Sequence, residues 1–163
     1  MDDLLFKWTR EKGQSIYTDY VYPLPTKSRP GKWTPSVADL KLCQSGYHVV
    51  NAINILLFIS VELYLVEVKG RVIVDTNKST HESVRLTKKL AWNKDVAVMF
   101  AADCAEHVLH LFESKYPNDS RPRLAIEAAR NKNANAAANA ANAAAYAATE
   151  KEWQSKKLLE YVM

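Results

Sequence analysis

From Asn131 to Thr149, 11 of 19 positions are Ala and five are Asn. Alanine has the highest helix propensity and buries little area, so this stretch is expected to be a helix lying close against a neighbour. Asn135, Asn139, Asn142, Tyr146, Thr149 and Trp153 follow one another at spacings of 4, 3, 4, 3 and 4, which is a heptad seam. The adjoining seam, Ala134, Ala138, Ala141, Ala145 and Ala148, is pure alanine. One side of such a helix packs tightly. The other shows a row of amides that ends in two aromatics. The phase is too regular for a low-complexity tail.

The residues leading into it are also helical in pattern. Asn93 can cap, Asp95 suits a first turn, and Ala97, Phe100, Ala101, Cys104, Val108 and Leu111 recur at helical spacing as far as Lys115. Pro117 stops that helix. Asp119 or Ser120 caps the next, with Pro122 in its first turn.

The first ninety residues read differently. Residues 4–10 alternate and carry aromatics, which predicts a strand. A turn follows at Glu11–Gln14, and Tyr17–Tyr22 is a second short strand candidate ended by Pro23 and Pro25. Thr26–Gly31 reads as an exposed loop and Trp33 as the start of an extended piece. Gly46 supplies backbone freedom for a turn into a buried piece at Tyr47–Val50, and Asn51 caps a short apolar helix over Ile53–Ile59. Glu62–Lys69 is the clearest strand. Gly70 is expected to make a tight corner, with Arg71–Asp75 as the hairpin partner. Asn77–His81 reads as a loop and Val84–Trp92 as another strand. The expected fold is α+β. A small antiparallel β-unit with one short helix (1–92) precedes a helical unit (93–163), a hairpin or three-helix layer carrying the long Ala/Asn-rich helix.

At 163 residues and 48% hydrophobic content the chain can bury a core without disulfide or metal. Its net charge of +4 is mild and its basic residues are scattered, which argues against a dedicated nucleic-acid binder. Cys43 and Cys104 lie far apart without C-x-x-C or paired-His spacing, as reduced cytoplasmic thiols do. The acidic start, Met1-Asp2-Asp3, is unlike a signal peptide. The longest apolar run, Ile53–Val61, is too short to span a bilayer. The reading is a bacterial cytoplasmic protein with no membrane contact.

Two resemblances follow from particular blocks. Residues 6–92 resemble an uncharacterised domain of bacterial and phage proteins, through Lys7-Trp8, Gly46-Tyr47-His48, the strand pair around Glu62–Gly70, and Arg85–Trp92. That family carries Ala-Cys after its His. Val49-Val50 stand here, so no thiol role carries over. Residues 103–148 look like an immunity-protein-like helical family of polymorphic toxin systems. The matching blocks are Asp103-Cys104-Ala105-Glu106, Phe112-Glu113 with Tyr116-Pro117, Asp119–Pro122 and Ala125–Arg130, followed by the alanine-rich helix. Neither family has an established reaction, so the resemblance implies an interaction role.

The functional reading is a non-enzymatic inhibitor that binds a partner protein: an immunity-type protein against a toxin, or an anti-CRISPR-like phage protein against a defence component. The expected contact residues are Asn135, Asn139, Asn142, Tyr146 and Trp153, with Arg121, Arg123 and Arg130 around the helix break. The same row could equally pack internally, anchored by Trp153. No cofactor, catalytic residue or metal is assigned. Asp103, Glu106, His107 and His110 share a helix at i, i+4 spacings that could ligate a divalent ion, but such spacings more often make helix-flank pairs. A buried Cys104 reads as a small hydrophobe. The alternative is a divergent ADP-ribosyltransferase-like enzyme. There His48 would grip NAD, and Glu62, Glu67 or Glu82 would polarise the ribose, against a plainer reading of His48 as a satisfied core residue. A nucleic-acid-binding accessory protein is a further alternative, marked by affinity that falls with salt.

Overall fold

The computed structural model describes residues 4–131 and 150–163. The chain forms two compact units that divide between Trp92 and Asn93. The architecture is α+β.

The first unit is an antiparallel sheet closed on itself. Strands β1 (Leu5–Thr9), β2 (Tyr47–Asn51), β3 (Glu62–Val74) and β4 (Ser79–Lys89) run in the order β1-β2-β4-β3, and β1 also pairs with β3. Closure removes part of the free strand edge from a sheet of four strands. Register follows the side-chain alternation. Lys7 stands opposite Tyr64, Leu5 opposite Val66, and Val66 opposite Leu86. Leu5, Lys7, Tyr64, Val66 and Leu86 therefore share one face. On that face Tyr64, Val66, Val84, Leu86, Val49 and Tyr22 form a buried cluster. On the other parity of β1, buried Trp8 donates its indole N–H to the Ile55 carbonyl at 2.7 Å and meets Trp92 edge-on, centroids 5.2 Å apart.

Several expectations shift by a few residues. The strand predicted over 4–10 is β1. The apolar helix after Asn51 is a 3-10 helix, Ala52–Phe58, and the Asn51 side chain does cap it, accepting from the Asn54 N–H at 3.2 Å. Gly70 does not close a hairpin. β3 runs through it to Val74 with a register shift between Lys69 and Val72, and the turn lies at Asp75–Lys78. Gly70 is needed all the same: its φ is +81°, and a Cβ there would fall 2.2 Å from the Glu82 carboxylate. That carboxylate is held in place by the Arg71 backbone N–H and guanidinium. Residues 79–81, read as loop, pair with β2 and β3 as the start of β4.

Tyr17–Tyr22 is not a strand. It makes one isolated bridge, Gln14 to Val21, and otherwise loops. The piece starting near Trp33 is extended, but it is a strap. Gly31, Thr34 and Val37 donate every third N–H to the carbonyls of Leu86, Val84 and Glu82 at 2.8–3.0 Å. It covers the β4 edge that β2 does not reach. Lys69 and Arg85 sit over the Trp33 ring, 4.5 and 4.8 Å from its centroid.

The second unit holds α1 (Lys94–Lys115), α2 (Arg121–Arg130) and α3 (Lys151–Val162). Asn93 caps α1 as expected, accepting from the Val96 N–H at 3.0 Å. Asp119 accepts from the Arg121 N–H at 3.1 Å at the start of α2, and the Ser120 side chain makes no cap bond. Of the predicted stripe of α1, Phe100 and Cys104 are buried, and the seam against α2 uses other residues. Ala102, Ala105 and Leu109 pack with Ile126 and Ala129, while Leu111 is exposed. Small residues dominate this seam, so it holds the helices close with little area per side chain.

Candidate functional site

The predicted contact row begins outside the described residues: Asn135, Asn139, Asn142 and Tyr146 all lie in 132–149. Its last member, Trp153, is on α3, half-buried, and stacks flat on His107 with centroids 3.9 Å apart and planes 7° apart. His107 Nε2 also meets the Glu150 carboxylate at 2.8 Å. One turn earlier on α1, Asp103 is a hub. Arg130 of α2 donates to one of its oxygens at 2.8 Å, and Tyr161 of α3 donates to the other at 2.8 Å, with Lys157 3.4 Å away. Glu106 takes Arg130 as well. Asp103, Glu106 and His107 thus bind helices to one another. His110 is exposed and sits apart from this hub, one turn beyond Glu106 on the same helix.

The basic residues around the helix break are likewise paired inside the unit. Arg121 clamps Asp119 through two bonds of 2.8 and 2.6 Å, which brings that carboxyl down to about 2. Arg123 clamps Glu113 through two bonds of 2.8 Å. Arg121 stays 88% exposed and Arg123 about half exposed, so both guanidiniums keep faces towards solvent. Cys104 is buried, and desolvation beside the Asp103 charge pushes its thiol up to about 12, so it behaves as a small apolar filler.

The β-unit holds something the sequence reading missed: a cavity of about 570 Å³ between β1, β2 and the 15–22 loop. Its floor carries Lys7. The amine donates to the His48 carbonyl at 2.6 Å and lies 4.9 Å from the centroid of Tyr22. Burial lowers it to about 8. Tyr20, Tyr22 and Tyr47 make an aromatic corner, with centroids 5.0–6.1 Å apart. Burial, reinforced by the neighbouring phenols, raises Tyr20 to about 12 and Tyr22 still further. His48 lines the wall. Its Nε2 accepts from the Cys43 N–H at 3.0 Å, so that nitrogen is unprotonated. Desolvation first, then the charges of Lys7 and Lys78, push it down to about 4.

His48 is therefore satisfied from its own loop, and it also faces the cavity. None of the three carboxylates considered beside it does so. Glu62 pairs with Lys89, Glu67 with Arg85, and Glu82 with Arg71. Among the described residues no carboxylate lines the cavity. One signal in the sequence could have located Lys7: it takes the same alternating parity as Leu5, a position facing the core, where a charge is out of place.

With this geometry in view, a family model described as "Imm-5 like putative immunity protein" matches residues 91–157. That span nearly coincides with the helical unit and covers less than half of the chain. Searches of curated proteins and of solved structures returned no match. No described helix is long and apolar enough to cross a membrane.

Proposed function

We propose that this chain is an immunity-type inhibitor that binds a single protein partner, a toxin domain, through its helical unit. The observation that carries the reading is the coincidence of the family match, 91–157, with the unit Asn93–Val162. The partner-binding residues in this reading are Asn135, Asn139, Asn142 and Tyr146, with Arg121, Arg123 and Arg130 at the helix break. Trp153 anchors the end of the row through its stack on His107. Charge supports a surface of this kind. Residues 93–163 contain nine basic and nine acidic side chains, so contact there rests on placed pairs and aromatics with no broad field. A phage counter-defence role would use the same surface against a different partner. A nicotinamide-dependent transfer has no carboxylate beside His48 to work with among the described residues.

The test is growth rescue. Toxin domains of the polymorphic class are expressed in bacteria with and without this chain, and soluble complexes are sized. Rescue from one toxin class with a stoichiometric complex is the expected result. Growth arrest by every class, with no complex formed, overturns the proposal.

A further inference from the structure

We propose that the cavity of the β-unit binds a small aromatic monocarboxylic acid, its carboxylate held by Lys7 and its ring by the Tyr20–Tyr22–Tyr47 corner. Lys7 is half-buried, on the core-facing parity of β1, and desolvation is the sole cause of its lowered pKa. No carboxylate offsets its charge among the described residues. An ammonium has three N–H donors, and the His48 carbonyl takes one. A desolvated cation with spare donors facing an open space favours an incoming anion, which restores the missing counter-charge.

The walls select the rest of the ligand. Tyr20, Tyr22 and Tyr47, packed on one another with centroids 5.0–6.1 Å apart, give the cavity an aromatic wall. The volume falls within the roughly 300–1,000 Å³ of small-molecule sites. The cation count sets the charge. Lys78, the other cation on the lining, is already committed to Asp75 at 3.2 Å. Among the described residues, a single uncommitted ammonium, with no guanidinium and no helix N-terminus in the lining, matches a monoanion better than a phosphate ester. The wider charge agrees. Residues 1–92 contain 13 basic and 9 acidic side chains, so the whole net charge of the protein lies in this unit.

Trp8 lies on the cavity lining, so the full chain reports binding through its own fluorescence. The probes are benzoate, 4-hydroxyphenylacetate and indole-3-acetate, their neutral amides, and adenosine monophosphate. Saturable binding of at least one acid is expected, with its amide weaker by roughly ten- to a hundred-fold, the loss that goes with one charge-assisted hydrogen bond. Lys7→Met should remove that preference while leaving amide binding intact, which also shows that the cavity is still formed. Three results overturn the proposal: no acid saturates at millimolar concentration, the amide binds as tightly as its acid, or the nucleotide binds more tightly than every acid. The comparison of acid with amide stands even if Lys7→Met does not fold. None of these results bears on toxin rescue, so the two proposals fail separately.

Discussion

The two units are held together by opposite means. In the β-unit, large side chains from distant parts of the chain meet in a closed sheet. Trp8 reaches Ile55, Tyr64 lies across from Lys7, and Thr34 serves Val84. In the helical unit, the apolar seam is mostly alanine, and charged groups do the clamping, with Asp103 joining three helices. Large contacts with long loop closures make a rigid frame that can enclose a cavity. Small contacts with solvent-accessible ion pairs leave helices whose outer faces are free to present residues.

If that contrast is real, mutations should separate the units. The largest effect belongs to Trp8→Ala. It removes a buried indole, its bond to Ile55 and its ring contact with Trp92. We expect a loss of about 3–5 kcal/mol by urea titration, with hydrogen-exchange protection lost across β1 and β3. Protection lost first in α1 would break the comparison. Next comes Asp103→Ala, which strands Tyr161 and takes one of two carboxylates from Arg130. About 1–3 kcal/mol should be lost, and the loss should shrink as salt is raised, whereas that of Trp8→Ala should not. Asn93→Ala removes the α1 cap and should cost about 1 kcal/mol, read by the same titration.

The remaining effects are in pH. His48 has a folded-state pKa near 4 against an ordinary 6.5. The unfolded chain therefore binds the extra proton between those values, and stability should fall as pH drops from 6.5 towards 4. Lys7, near 8 against 10.5, works in the same sense: stability should rise as pH climbs through that window. Proton NMR of the imidazole checks the first directly. A midpoint for His48 near 6.5 would contradict its placement in the cavity wall.

What could be read from residue order was what short-range chemistry decides. Asn51 and Asn93 announce caps, and the side-chain oxygens sit where the Asn54 and Val96 N–H groups need them. Pro117 and Pro122 punctuate helices for reasons local to the chain. The failures are long-range. Gly70 looks like a hairpin corner until one sees that the strand passes through it as an irregularity, because its partner strand begins only at Ser79. Tyr17–Tyr22 has strand composition, but β1 and β2 are already paired with other strands, and the segment turns back on residues 13–15 instead. The cavity was invisible for the same reason. It exists because Lys7, Tyr22 and His48 converge from separate elements. The Asp103 hub was half legible: the i, i+4 grouping of acids and histidines stood out, but their partners on α2 and α3 did not.

The central claim is that partner capture belongs to the helical unit. Hydrogen–deuterium exchange of the full chain, with and without the toxin domain proposed as its partner, tests this most directly. The account predicts new protection between Arg121 and Trp153, with exchange in β1–β4 unchanged. Protection confined to the β-unit, with the helical segment exchanging as in the free chain, would contradict it.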